Sequence, residues 1–331
     1  MTLAALLGGA HAQTVEQFYR GKRINLVTSA SVGGGYDQYA RLLAKHMPRH
    51  IPGQPSIVVQ NMTGAEGLKA ANYLYSMAAQ DGSVIGGLQR NNGVARFYEE
   101  NNTAIQYDAN KFNWLGSPQQ EVGLFIVRKE AGINSLEDLK KKEVAVSSTA
   151  RNSPASIYAR MLNGLYGSKI RPVEGYAGSQ AALLAVERGE VDGHISGGSS
   201  GAFRARMMPW VEAGDAKVIM QMGINADPAF PKAPTAIEVV SAPADKQLFE
   251  IAFAEQVMGR PFLLPPGVPA DRVKALRAAF DATMKDPEFL AEAKAQNVEI
   301  DPVSGEQINT LLDHVYSAPP EVGARIRELA K

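Results

Sequence analysis

From Arg23 onwards, short apolar runs alternate with segments whose apolar positions recur every three or four residues. Ile24-Asn25-Leu26-Val27 has the density of a buried strand and gives way to Gly33-Gly34-Gly35. Tyr39, Leu43 and Met47 then share one helical face. Pro48, Pro52, Gly53 and Pro55 punctuate a loop, and Ser56-Ile57-Val58-Val59 predicts a second strand. Leu68, Ala71 and Tyr75 predict the next helix, and Ser83 to Leu88 a third strand. Successive β-α-β units with short connections predict a parallel sheet flanked by helices.

The middle of the chain repeats the theme. Val122 to Val127 is strand-like, and Ser135 and Asp138 have the spacing of a helix start. Val144-Ala145-Val146 runs into a serine-rich stretch, followed by a helix with Tyr158, Met161, Leu162 and Leu165 on one stripe. Leu183 and Val186 mark another helix, which Gly189 closes, and strands are expected at Val191 to Ile195 and Lys217 to Met220. The last third is mainly helical. Val273, Leu276 and Phe280 face inward, Asp286-Pro287 caps the next helix, and Ser304 to Gln307 forms a capping box before Ile308, Leu311, Leu312 and Val315. Two α/β blocks follow from this pattern. One lobe comprises residues 13–113 and 229–331, the other 114–228, with hinge crossings near 112–118 and 221–234.

Composition narrows the chemistry. At roughly 150 residues per domain, the 331 residues suit two domains, and 45% hydrophobic content supplies both cores. Thirty-four basic residues balance 34 acidic ones, which leaves no electrostatic footprint for nucleic acid or an anionic membrane. Without cysteine there is no disulfide, thiolate metal site or thiol nucleophile. The histidines at 11, 46, 50, 194 and 314 form no close ligand pair, so neither metal nor cofactor is expected. His46, His50 and His194 are expected to be structural, and Met207-Met208-Pro209-Trp210 to be packing. Residues 1–12 carry a small apolar run, Leu3 to Leu7, then Ala10-His11-Ala12, which fits a signal-peptide remnant cleaved before Gln13.

Polar loops sit after predicted strands and before predicted helices, where open α/β sheets bind ligands. The first is Ser31-Val32-Gly33-Gly34-Gly35-Tyr36-Asp37; the second runs through Ser148, Thr149, Ala150, Arg151, Asn152 and Ser153; the third is Tyr176 to Ser179. Glycine permits close backbone approach, and helix-start N–H groups favour an anion. Arg90, Arg151 and Arg260 flank these loops; each could fork onto a ligand carboxylate or pair internally with Asp37 or Glu121. The glycine run lacks the spacing of a dinucleotide fingerprint and the Gly-Lys-Ser/Thr ending of a P-loop. Gly197-Gly198-Ser199-Ser200-Gly201 satisfies G-x-S-x-G, and Asp271 or Asp301 and His314 follow in hydrolase order. His314 falls inside a regular amphipathic helix, and no HGGG-type loop is present.

Several stretches together resemble the periplasmic receptors of tripartite tricarboxylate transporters, the Bug family. They are Gly34 to Ala44, Val58 to Gly67, Gly189-Glu190-Val191-Asp192, Phe230 to Thr235 and Leu264 to Pro269. The resemblance implies an α/β, two-lobed periplasmic-binding-protein fold (a Venus flytrap) with a mostly parallel sheet in each lobe. It implies a ligand carboxylate held by loops Ser31 to Asp37 and Ser148 to Ser153. Tyr176, Ser179, Ser196, Gly197 and Gly198 would shape the far end, and Arg90 with Asn91 would stand beside it. Arg151 and Arg90 are larger, charged choices than many members show, which favours a ligand with a second acidic group. The function so implied is a non-enzymatic, monomeric receptor in the periplasm. It would deliver an organic carboxylate, such as a dicarboxylate or an aromatic acid, to membrane permease subunits. The alternatives are a secreted hydrolase using Ser199 and a sensing receptor without transport.

Overall fold

The structure is a computed structural model that describes residues 13–99, 101–151, 153–196 and 201–329. The expected signal-peptide remnant lies outside them. In chain order the strands are β1 (Arg23–Thr28), β2 (Ser56–Asn61), β3 (Val84–Gly87), β4 (Asn113–Ser117), β5 (Gly123–Arg128) and β6 (Val144–Ser147). They continue as β7 (Ile170–Val173), β8 (Gly193–Ile195), β9 (Ala216–Met222), β10 (Phe262–Leu264) and β11 (Val303–Ser304). One sheet has the order β11-β4-β10-β3-β1-β2 and the other β7-β6-β8-β5-β9.

The α/β architecture matches the sequence pattern, but both sheets are mixed rather than mostly parallel. The local β-α-β units are parallel as expected: β1 with β2 and β3, and β6 with β7 and β8. The strands that enter from the other sheet run the opposite way. β5 is antiparallel to β8 and β9, and β10 is antiparallel to β3 and β4. A parallel neighbour needs a crossover on its own sheet, and a strand arriving across the junction has none. β10 escaped the hydrophobic pattern because it has only three residues before Pro265. β4 stays with the first sheet, so the 113/114 division expected from sequence falls within a strand, and the chain changes sheets between Ser117 and Gly123.

Alternation along the strands distributes side chains to two faces. Phe125 and Val127 point into the largest hydrophobic cluster, whereas Leu124 and Ile126 join a smaller one with Phe203 and Met207. Leu263 likewise enters the large cluster, and Phe262 and Leu264 enter another with Leu43, Met47 and Phe280. The large cluster spans both sheets, from Val27 and Trp114 to Val146 and Met220. Phe249 and Phe253, from the helix Pro243–Val257, belong to it. Phe253 stacks on Phe249 at 5.5 Å and meets Tyr158, on the helix Pro154–Tyr166, edge-on at 5.1 Å. The last described helix, Pro320–Leu329, also packs on Pro154–Tyr166, so the lobes share apolar contacts as well as chain crossings.

The predicted caps form at Asp286, which accepts from the Glu288 amide at 2.8 Å, and at Ser304, which forms a capping box with Gln307. The Ser135 motif works in reverse. The Asp138 carboxylate accepts from the Asn134 and Ser135 amides, each at 2.9 Å, and the helix that follows has only four residues. All three histidines expected to be structural are so placed. His46 contacts Glu292 and His50 contacts Asp286, each at 2.8 Å. His194 is buried with Nδ1 3.0 Å from the Ser147 hydroxyl. Burial pushes the His194 imidazole down to about 4 from 6.5, against a smaller opposing pull from the Ser147 carbonyl.

Two stability predictions follow from this packing. Phe253→Ala should cost about 3–5 kcal/mol in urea unfolding, the scale for emptying a fully buried aromatic site. His194 is neutral when folded, so as pH falls below 6.5 the unfolded chain takes up its proton first. Its contribution is therefore complete above that pH and lost progressively towards about 4, on the order of 3 kcal/mol in total. Unfolding free energies measured across this window should fall less steeply for His194→Gln than for the wild type.

Candidate functional site

The first loop leaves β1 and opens the helix Gly35–His46. Gly33 takes φ +78°, a left-handed turn that an L side chain would strain, and its amide donates to Asp37 Oδ2 at 2.8 Å. Gly34 is the N-cap, with its amide on the Ser31 carbonyl at 3.1 Å. The N–H groups of Gly35 and Tyr36 in the first turn have no intrahelical acceptor, and Gly35 is exposed. Ser31 is exposed, and Val32 is 74% exposed.

Asp37, expected among the ligand contacts, has its carboxylate engaged within the protein. Its buried carboxylate accepts from Gly33, from Arg41 Nε at 2.8 Å and from Asn61 Nδ2 at 2.7 Å. Burial raises its pKa, but these donors outweigh it and hold the carboxyl below the usual range. Asp37 therefore shapes the loop from beneath.

The second loop leaves β6 and opens the helix Pro154–Tyr166, with Ser153 as N-cap and Pro154 in the first turn. Ser148 is buried, and its hydroxyl contacts Ser153 Oγ at 2.6 Å and the Ala150 carbonyl at 3.0 Å. It also accepts from Ser156 Oγ at 2.7 Å. Ser156 and Arg160 both reach Glu174, at 3.0 and 3.3 Å. The serine hydroxyls thus brace the loop, while Thr149 is half-buried and Ala150 and Arg151 are exposed at its rim. Tyr176 is tied to this loop by its amide, which donates to the Ser148 carbonyl at 3.3 Å. Ser179 begins the helix Ser179–Glu187.

Ser196, expected at the far end of the ligand, lies at the end of β8. It is buried, and its hydroxyl accepts from the Leu124 amide at 2.8 Å, continuing the β8–β5 pairing. Asn152, Gly197, Gly198 and Ser199 lie outside the described residues. Of the hydrolase arrangement, His314 is 3.5 Å from Glu250, on the helix Gly305–Tyr316, and not paired with Asp271 or Asp301.

Between the two helix starts lies a charged cluster. Arg90 follows β3, Glu121 lies on the crossing from β4 to β5, Glu255 is near the end of the helix Pro243–Val257, and Arg260 precedes β10. Glu121 bridges the arginines, with one oxygen on Arg90 Nη1 and the other 2.9 Å from Arg260 Nη2. Glu255 is 3.7 Å from Arg90 Nε. The Arg90 guanidinium is thus engaged by Glu121 rather than offered whole to a ligand, the internal pairing weighed from the sequence. Burial works against its charge, but the two glutamates outweigh it and hold its pKa above the ordinary value. Burial and Glu121 push the Glu255 carboxyl upwards, against the pull of Arg90. Asn91, half-buried in the same turn as Arg90, accepts a long 3.5 Å contact from Asn92 on its side-chain oxygen.

The cluster touches both loops. The Arg90 amide donates to the Tyr36 hydroxyl at 3.3 Å, and the Arg260 guanidinium lies 4.5 Å over the Tyr36 ring. Gln256 donates to the Tyr158 hydroxyl at 3.0 Å and accepts the Glu121 amide on its carbonyl at 2.9 Å. Sequence reasoning missed Glu255 and Tyr158 as site residues. The available signal was the pair Glu255-Gln256 directly after the apolar run Ile251 to Ala254.

The expected likeness to tripartite-tricarboxylate receptors holds in the fold. A TctC solute-binding protein from Polaromonas superposes with a TM-score of 0.71 at 20% identity, covering 94% of this chain and 98% of that one. MatC of Rhodopseudomonas palustris, with bound malate, gives 0.57 at 20% identity over 93% and 99%. Rpa4515 of R. palustris, with adipate, gives 0.59 at 19% over 93% and 97%. No curated protein matches the chain. Among the described residues, no helix is long and apolar enough to cross a membrane. Residues 97–300 match the family model described as "ABC transporter, phosphonate, periplasmic substrate-binding protein", and with more than half of its length matched the chain belongs to this family of periplasmic substrate-binding proteins.

Proposed function

We propose that this chain is a solute receptor that binds an organic carboxylate between its two lobes and delivers it to a tripartite-tricarboxylate-type permease. The observation that carries this reading is the pairing of two helix starts, at Gly34 and Ser153, around a floor whose arginines already hold glutamates. Helix starts attract one negative charge well. A phosphonate, which carries nearly two charges on one group, would want unneutralised guanidinium beside it, and Glu121 occupies both arginines. The malate and adipate held by the two R. palustris proteins support the carboxylate over the phosphonate of the family description. The lobes would close about the ligand by rotation at the crossings, with the helix Pro243–Val257 as the packed pivot. The hydrolase reading gains no support, because His314 pairs with Glu250.

A thermal-shift panel of mono-, di- and tricarboxylates, aromatic acids and alkylphosphonates tests the reading. Ligand at a thousand times its Kd adds roughly 4 kcal/mol of stability. At least one carboxylate should raise the unfolding midpoint; stabilisation by phosphonates alone would overturn the proposal.

Arg151, exposed just before the second helix start, is the remaining candidate for a second ligand carboxylate. Calorimetry should show Arg151→Ala weakening a dicarboxylate by about 2 kcal/mol while sparing a monocarboxylate of equal length. Arg151→Lys should recover only part of the loss, since it keeps the charge without the fork.

A further inference from the structure

We propose that Glu255 selects, among carboxylates, those bearing a hydrogen-bond donor (a hydroxyl or an ammonium) near the carboxylate held at the helix starts. The inference rests on the carboxylate-receptor reading and assigns a residue to the ligand's other end.

Of the two carboxyls in the cluster, the geometry singles out Glu255. Glu121 spends both oxygens on arginines and keeps only 6% of its side-chain surface exposed. Arg260 has one nitrogen on Glu121 and another on the Gly259 carbonyl at 2.6 Å. Tyr158 already accepts from Gln256 and is buried. Glu255 differs. Its side chain retains 16% exposure, and its one ion pair, to Arg90 Nε, is at 3.7 Å, longer than a hydrogen bond. Among the described residues no group donates a hydrogen bond to its carboxyl. A carboxyl drawn this far from water normally gathers two or more donors. A donor on a molecule entering the cleft would supply what the protein does not.

Its position suits that role. Tyr36 is the second residue of one helix and Tyr158 the fifth of the other; the Arg90 amide meets the Tyr36 hydroxyl and Gln256, next to Glu255, meets the Tyr158 hydroxyl, so the cluster lies within about a turn and a half of both helix starts. A short acid with its carboxylate at the helix starts would carry a substituent to this depth. Burial and Glu121 both resist negative charge on Glu255, so an incoming donor, above all a cationic one, relieves an unfavourable state.

Calorimetry on the full chain with succinate, malate and aspartate separates the possibilities, since the three share a skeleton and differ in donor. The wild type should bind malate and aspartate at least about tenfold more tightly than succinate, as expected for a hydrogen bond to a charged group. Glu255→Ala should erase that advantage while leaving succinate within about twofold. Glu255→Gln should keep part of it for malate, because an amide oxygen still accepts, and lose it for aspartate, which needs the charge. Unfolding midpoints of the variants control for folding, and the wild-type comparison stands without them. Equal affinity of the wild type for all three acids, or a uniform loss in the variants, would overturn the role of Glu255 and leave the receptor reading intact. Failure of these three and of every other carboxylate to bind would overturn both.

Discussion

Two guanidinium groups largely withdrawn from solvent at the junction of two sheets have to be matched in charge, and the rest of the junction is arranged around that requirement. Losing one partner of such a buried pair typically costs about 3–5 kcal/mol, because the survivor is left uncompensated. Glu121 meets the requirement for both arginines at once. Because it sits on the crossing between the sheets, the same bridge ties the crossing to the loops that carry Arg90 and Arg260. Backbone bonds then fix the neighbours. The Arg260 amide donates to Ser117 Oγ at 2.9 Å, and the Gln120 amide donates to the Asp301 carbonyl at 3.0 Å.

The charge cluster and the apolar core cooperate through one helix. Pro243–Val257 places Phe249 and Phe253 in the cluster shared by both sheets, then turns Glu255 and Gln256 towards the crossing. Gln256 binds the Glu121 and Gly123 amides through its carbonyl and side-chain oxygens, and its side-chain nitrogen reaches Tyr158. A displacement of the Pro154–Tyr166 helix would therefore be felt at Glu121.

The loops contribute geometry more than side-chain chemistry. Asp37, Ser148 and Ser156 use their polar atoms inside the protein, so that the helix-start amides above them are held in place and left facing outwards.

The sequence by itself determined the alternation of strands and helices, the two glycine- and serine-rich loops before helix starts, and the helix caps at Asp286 and Ser304. These are local properties, set by side-chain periodicity and by hydrogen bonds spanning a few residues. It also marked Arg90 and Arg260 and offered Asp37 or Glu121 as their internal partners. Only the tertiary structure decided what those polar groups do. Asp37 turned inward because Asn61, 24 residues away, completes its hydrogen bonds. Ser196 became a strand contact because β5 lies antiparallel beside β8. β10 is a central strand despite its three residues, because it pairs on both edges, with β3 and with β4. Glu255 came to face Arg90 across 165 positions of sequence, a proximity that depends on packing two sheets against one helix and that no local pattern encodes.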